Sequence, residues 1–464
     1  MTATADDVRP TYNTAWWAQR RYQMLTTNWL TYFVNYLDRV KTSALLPLMA
    51  ASLALNTAQL GWILFAFYLT YALSQPLAGY VTDVLGARRS LALSAAAFTT
   101  FTWTIAFTHT FTDLLVRNAI FGFTLGFEYT AASRLIAMWF PARTRGRAHA
   151  IHQTGNTAGA IIAPLVAVPL AEATGSWRWP FVIISFFGLP LLALIHRYVF
   201  DRPENSPRVS RAELVTIYGS GGADRVGTVT DPTRARSADE LPPGERPISY
   251  RQALGNRNVA LLASAMFFAS FEVWGLSSWL PTYGVQQLGM PLFTAGAMAS
   301  VFWAGTVLGT LAGGALSDTV FGLKRTPVWL LGGIVAAAAI VAAALLPRGV
   351  PAGVLFALLG IAGFFAMWSP LAVLTPAYVA ELLTPGVVGR VAGATIFVAS
   401  IGSAFAQPLA GMLVLHGPDG PQYWPVFLAF AGAAALSALC CFGLVEPSLR
   451  RTYLGHLLAG ARNR

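Results

Sequence analysis

Charge is scarce in this chain. Only 11% of its 464 residues are Asp, Glu, Lys or Arg, against 55% hydrophobic residues. Soluble domains carry about 25% charged residues, so this composition excludes an ordinary water-soluble fold. Cysteine is scarcer still: the two present, Cys440 and Cys441, are adjacent, which gives neither a disulfide framework nor a zinc spacing. The six histidines are scattered without an H-E-x-x-H pattern. There is no Walker loop and no G-x-G-x-x-G after a strand, so ATP-driven transport has no support. No nucleophile–base constellation argues for an enzyme, and no cofactor is implied. The first twenty residues, with Asp6 and Asp7, lack the layout of a cleavable signal peptide.

What remains is apolar runs of membrane-spanning length. About twelve recur, at 22–51, 57–84, 88–109, 111–140, 144–173, 177–199, 254–286, 292–319, 326–347, 351–382, 386–415 and 421–446. Lipid leaves no backbone polar group unsatisfied, so long runs predict helices, whereas a barrel shows short alternating segments. The expected fold class is an all-α membrane protein. The net charge of +11 is not a nucleic-acid footprint, because no stripe interleaves basic and exposed aromatic residues. Basic residues gather instead at alternate connections: Arg20 and Arg21, Arg88 and Arg89, Arg143 with Arg145 and Arg147, the middle loop, Lys324 and Arg325, Arg390, and Arg450 and Arg451. Arg178 and Arg348 are the exceptions. This positive-inside asymmetry predicts cytoplasmic termini and a cytoplasmic middle loop.

Residues 200–253 are polar and hold Asp201-Arg202-Pro203-Glu204 and Pro242-Pro243-Gly244. They read as a partly disordered linker between an N-terminal six-helix half, 1–199, and a C-terminal half with a short tail, 254–464. The halves echo each other. Gly79-Tyr80-Val81-Thr82-Asp83 precedes Arg88 and Arg89, and Gly314-Ala315-Leu316-Ser317-Asp318 precedes Lys324 and Arg325. Pro141 with Gly146-Arg147 is matched by Pro385 with Gly389-Arg390. Parallel repeats of this kind put a binding site near the midplane, between the halves. Gly155 with Gly159, and Gly305 with Gly309 and Gly313, mark close helix contacts of the sort two sliding halves would need.

The deep charges carry the functional reading. Asp38 and Arg39 are adjacent in the middle of the first run, with Lys41 beyond them. A charge at that depth costs roughly 2.5–3.5 kcal/mol on insertion scales and marks a substrate or proton site by default; the bland alternative is a self-neutralising structural pair. Arg117 and Glu128 lie in the fourth run and Glu272 in the seventh. Eleven residues separate Arg117 from Glu128, which returns to one face but leaves about 16 Å along the axis, so each needs its own partner. His149, His152, Gln153 and Asn156 share a face of the fifth run, as a wetted vestibule or a proton relay. Tyr36, Tyr68, Tyr71, Trp274 and Trp279 are candidates for an aromatic pocket, with ordinary packing as the alternative.

The loop Gly79-Tyr80-Val81-Thr82-Asp83-Val84-Leu85-Gly86-Ala87-Arg88-Arg89 resembles the signature between helices two and three of the major facilitator superfamily, departing at Val84, where a basic residue is usual. Within it, Asn35-Tyr36-Leu37-Asp38-Arg39-Val40, Trp139-Phe140-Pro141, Gly146-Arg147-Ala148, Gly159-Ala160-Ile161-Ile162-Ala163-Pro164, Trp177-Arg178-Trp179-Pro180-Phe181, Asp201-Arg202-Pro203-Glu204 and Ser278-Trp279-Leu280-Pro281-Thr282-Tyr283 resemble the anion:cation symporter family of hexuronate, galactonate and phthalate permeases and sialin-type carriers. The resemblance implies a twelve-helix fold of two pseudo-symmetric halves, with a cavity lined by helices one, four, seven and ten. It implies that Asp38 is a proton-coupling carboxylate, that Arg39 binds the substrate carboxylate and that Arg117 is the helix-four arginine. The family's helix-four acid falls at Thr124 here, and Glu128 stands one turn on. Where the family's eleventh helix offers Asn, this chain has Ile396-Phe397-Val398-Ala399-Ser400.

The expectation is a proton-coupled symporter of an organic anion, a sugar acid or aromatic acid. It is expected as a monomer in a bacterial inner membrane, with no nucleic-acid partner. Arg39, Arg117, Lys41, Tyr36 and Trp274 are expected to bind substrate, and Asp38, Glu128 and Glu272 to carry protons. Neutralising Asp38 is expected to loosen its hold on Arg39. Asp83, Arg88, Arg89, Asp318, Glu381 and Arg390 are expected to gate. An exporter of hydrophobic drugs, or a transport-dead sensor on the same fold, are the rivals.

Overall fold

The computed structural model describes residues 16–218, 252, 255–321, 324–347, 349–369, 378, 385–418 and 420–444. The first half comprises α1 (Arg20–Ser52), α2 (Thr57–Leu85), α3 (Ala87–Ile105), α4 (Phe111–Trp139), α5 (Ala142–Thr174) and a sixth span broken into α6 (Arg178–Ser185) and α7 (Gly188–Tyr198). The second comprises α9 (Arg257–Gln286), α10 (Leu292–Thr319), α11 (Thr326–Ala344), α12 (Ala352–Ala366), α13 (Pro385–Leu413) and α14 (Trp424–Phe442). A small antiparallel hairpin, β1 (Leu415–Gly417) with β2 (Gly420–Gln422), joins the last two. The expected span at 351–382 is described as helix only to Ala366; residues 370–377 and 379–382 lie outside the described residues.

Local chemistry sets several boundaries. Asn56 and Gln59 form a reciprocal capping box at the start of α2. The Thr110 hydroxyl accepts from the Asp113 amide at the start of α4. Gly175, with φ +65°, ends α5 in the left-handed region that favours glycine. By length and composition alone, eight spans among the described residues are apolar enough to cross a membrane. Neither α1 nor α4 is among them; these two carry Asp38, Arg39, Lys41 and Glu128.

The same helix pairings recur in both halves. In the first, α1 packs on α5, α2 on α4, and α3 on α4. In the second, α9 packs on α13, α10 on α12, and α11 on α12. The glycine ridges serve these internal contacts. Gly155 sits 2.8 Å, by its would-be Cβ, from the Trp29 carbonyl of α1, and Gly305 and Gly309 lie against α12 at Gly360 and Phe364. They are not the sliding surface expected of them: each packs against a helix of its own half.

The halves meet through α1 with α9, α2 with α13, and α5 with α10. Gly61 at the start of α2 abuts Gln407 and Pro408, where a Cβ would come within 2.6 Å of the Gln407 carbonyl. Gly296 of α10 lies against Pro164 and Val168, and the Ser300 hydroxyl donates to the Ile161 carbonyl at 2.8 Å. These contacts all lie toward the end of the bundle where α1 finishes. The linker begins as ordered chain: α8 (Arg211–Tyr218) docks under α1, and the buried Glu213 carboxylate accepts from the Arg20 and Arg21 amides at 3.2 and 2.8 Å. The sequence alone read this stretch as a partly disordered linker; here Glu213 satisfies free amides at a helix N-terminus.

Candidate functional site

Consecutive helical positions diverge by about 100°, so Asp38 and Arg39 leave α1 in different directions. Asp38 forms an ion pair with Lys41, three residues on, and both side chains are wholly buried. The Lys41 ammonium lies 5.1 Å from the centre of the Phe181 ring of α6. This corrects the expectation that Asp38 holds Arg39: residues three apart share a helix face and adjacent ones do not. It also corrects the placement of Lys41 as a substrate ligand, since the ammonium is turned to its own carboxylate and to α6.

Arg39 enters a box of aromatic rings instead. Its guanidinium carbon is 3.8 Å from the ring centre of Trp274, 4.7 Å from Tyr71, 4.9 Å from Tyr68, 5.3 Å from Tyr36 and 5.5 Å from Phe67. Among the described residues no carboxylate comes within ion-pair distance of it, and its Nε has no hydrogen-bond partner. Cation–π attraction offsets part of the desolvation of such a group, and the Tyr68 and Tyr71 hydroxyls stand within reach of part of its fork of donors. Ser43 and Val40 of α1, Tyr68 of α2, Trp274, Ser277 and Ser278 of α9 and Trp303 of α10 complete a cavity around it. Its free space is about 10 Å³, room for a single water. Tyr68 and Ser278 hydroxyls meet across it at 3.1 Å, joining the halves. Tyr36 and Trp274 are therefore where the sequence put them, and Tyr68 and Tyr71 join them. Phe67 and Trp303 escaped notice, although Phe67 is four residues before Tyr71 on one face of α2. Trp279 faces elsewhere and donates to the Gln407 side chain at 3.1 Å.

A second buried cluster lies one to two turns toward the start of α1. Glu128 of α4 and His152 of α5 have no exposed surface and approach to 3.5 Å. The expectation of a wetted vestibule fails for His152: it is sealed, stacked on Tyr32 at 4.5 Å and 10°. Gln153, expected on the same face, is exposed.

The remaining candidates lie apart. Arg117 binds Asp113, one turn earlier, at 2.5 Å and donates to the Thr104 carbonyl at 2.9 Å. It is half-exposed near the start of α4, so the structure does not bring it to Arg39. Glu272 is buried in α9, with its Oε1 unpartnered. Asp83 pairs with Arg134 of α4 rather than with Arg88 or Arg89. Arg134 was missed by sequence reading; its signal is a cation six residues after Glu128 in the same apolar run. Arg88 donates to the His196 carbonyl at 2.6 Å and covers Phe200, while its amide donates to Asp201 at 2.8 Å. Arg89 is exposed beside it. Asp318 and Arg390 lie within α10 and α13, but their side chains are outside the described residues, as is Glu381 altogether.

A small pocket around a buried arginine between two helical halves fits one large transporter group, and its sequence profile matches residues 29–406. The chain belongs to the Major Facilitator Superfamily. Similar proteins include the probable galactarate/D-glucarate transporter GarP of Escherichia coli K12, 26% identical over 453 residues and covering 94% of this chain and 96% of GarP. The probable sulfoacetate transporter SauU of Cupriavidus necator is 28% identical over 308 residues, 66% of each chain. The hexuronate transporter of Bacillus subtilis is 25% identical over 295 residues, 63% of each chain. Among solved structures, a bacterial homolog to the human lysosomal transporter Spinster, inward-facing and unoccupied, superposes with a TM-score of 0.70 at 18% identity, covering 94% of this chain and 98% of that one. A D-xylose-proton symporter does so at 0.70 and 15%, covering 92% and 98%. These superpositions establish the fold. As a member of this superfamily the protein is a multi-pass membrane transporter and not an enzyme.

Proposed function

We propose that the protein carries an organic anion, a carboxylate such as a sugar acid or an aromatic acid, together with protons by alternating access. The observation that carries this reading is Arg39. A buried guanidinium with no carboxylate partner, set between the halves, is a ready ligand for an anionic group, and its planar fork suits a carboxylate bidentately. The substrates named for the similar proteins, galactarate or D-glucarate, hexuronate and sulfoacetate, are all anions. The cavity is too small for any of them, so the rings of Trp274 and Tyr68 part to admit substrate. Ser43, Ser277 and Ser278 offer hydroxyls to it. Asp38, Glu128 and Glu272 are the buried carboxylates available for proton coupling.

In this reading both termini are cytoplasmic in a bacterial inner membrane, and the sealed end where α1 finishes faces outward. The Asp83–Arg134 pair with Arg88 and Arg89 stands at the opposite end as part of the gate, and Asp318, Glu381 and Arg390 belong to its counterpart in the second half. The transporter works as a monomer. The test is thermal stabilisation and uptake against a panel of sugar acids, aromatic acids and sulfoacetate, with their amides or esters as controls. Arg39→Ala weakens binding of the anion by roughly a hundredfold, since charge-assisted hydrogen bonds contribute about 1.5–3 kcal/mol, and uncharged analogues do not compete. Strong competition by uncharged analogues, with Arg39→Ala still active, would favour the drug-exporter reading.

A further inference from the structure

We infer that His152 and Glu128 together form the coupling-proton site, and that the rings of Tyr32 and Tyr36 connect it mechanically to Arg39. The inference rests on the symporter reading and names the group that carries its proton.

Both side chains are fully buried, and His152 Nε2 lies 3.5 Å from Glu128 Oε1. Both imidazole nitrogens and both carboxylate oxygens lack a well-formed hydrogen bond. Polar atoms in one sealed place without well-formed hydrogen bonds are costly, so the pair asks for a role that the packing alone does not give it. Among the described residues the groups facing the pair are tyrosines and one imidazole: Tyr32 from α1, Tyr71 from α2, Tyr129 from α4 and His149 from α5. Among the described residues no Lys or Arg pairs with Glu128. Asp38 differs in this respect, because Lys41 already neutralises it inside the fold. Burial disfavours net charge, so the His152–Glu128 pair rests with one shared proton. A second proton, arriving from water as an N–H on His152 or an O–H on Glu128, leaves the pair with one net positive charge. That charge complements an incoming anion.

The link to the cavity is a continuous row on α1. Tyr32 stacks face to face on His152. It meets Tyr36 edge-on at 5.0 Å, and Tyr36 flanks both Arg39, at 5.3 Å, and Trp274, at 6.0 Å. Positions 32, 36 and 39 follow the helical spacing of four and three, so they share one face. An imidazolium draws Tyr32 onto itself by cation–π attraction, and the shift repacks Tyr36 and the box around Arg39.

The experiment uses the full-length protein in liposomes, with substrate uptake measured under an imposed pH gradient and exchange measured without one. His152→Gln is expected to lose gradient-driven accumulation by about tenfold or more, within the range of ordinary coupling energies, and to flatten the pH profile while exchange persists. Glu128→Gln does the same, and the double variant is no worse than either. Histidine-labelled protein gives a second reading that does not depend on a His152 variant. In nitrogen NMR, one of the six imidazoles titrates over the pH range of uptake in wild type and ceases to do so in Glu128→Gln. Unchanged accumulation and pH profile in His152→Gln, or identical histidine titration in wild type and Glu128→Gln, overturns the assignment. Absence of any gradient-driven accumulation in wild type overturns the symporter reading itself, and the assignment with it.

Discussion

In the N-terminal half, five Asp, Glu, Lys, Arg or His side chains, Asp38, Arg39, Lys41, Glu128 and His152, are buried at the core of the spans. In the C-terminal half, among the described residues, Glu272 is the one such group inside a span, with Arg325 buried at the start of α11. Yet both halves repeat the same helix pairings and the same end-of-helix Gly-x-x-[Ser/Thr]-Asp sequence. The repeat has kept its packing, which depends on small and apolar residues, and has divided its chemistry. The first half holds the charge, with Asp38 paired to Lys41, Glu128 set against His152, and Arg39 left to the aromatic rings. The second supplies the neutral surface, Trp274, Ser277, Ser278 and Trp303, that closes on Arg39. Concentrating charge in one half has a physical advantage: a buried ion is stabilised by a nearby partner, and partners within a half would stay together through the proposed transport cycle.

Breaking the Asp38–Lys41 pair tests that division most severely. Asp38→Asn leaves Lys41 buried without its carboxylate, and removing one member of a buried pair costs about 3–5 kcal/mol. Thermal unfolding in detergent is expected to show the loss, and adding Lys41→Met is expected to recover much of it. A single Asp38→Asn variant as stable as wild type would mean that the first half does not depend on internal neutralisation.

A smaller effect is expected on the closing surface. Trp274→Ala removes the ring nearest Arg39, and a desolvated cation–π contact contributes about 0.5–2 kcal/mol. Substrate affinity should shift by about thirtyfold or less, in contrast to the larger loss in Arg39→Ala. If the two variants lose affinity equally, the C-terminal half does more than close. The smallest effect belongs to Glu272→Gln. If proton handling is confined to the first half, gradient-driven uptake in this variant stays near wild type. Loss of accumulation as deep as in Glu128→Gln would assign coupling to both halves.

Much of the fold was legible without coordinates, because long apolar runs in lipid admit helices almost exclusively. The echo of Asp83 and Asp318 showed two halves. The break at Phe186 and Phe187 that divides the sixth span was not visible, since both residues are apolar and the run continues through them. At the site, Arg39, Tyr36 and Trp274 were legible from depth and residue type. Their grouping with Phe67 and Trp303 was not, because these come from four helices and two halves.

Sequence by itself determined that this chain spans a membrane, that it is built twice over, and that Asp38, Arg39, Lys41 and Glu128 lie too deep to be incidental. Those conclusions rest on transfer energies and on periodicity along one helix, both of which are local. Partnership was decided by the tertiary structure. Asp38 belongs to Lys41 and Glu128 to His152, Asp83 to Arg134 and Arg117 to Asp113, while Arg39 is left to the rings. An ion pair is set by the rotation of each helix about its own axis and by which helix lies beside it, and packing between helices fixes both.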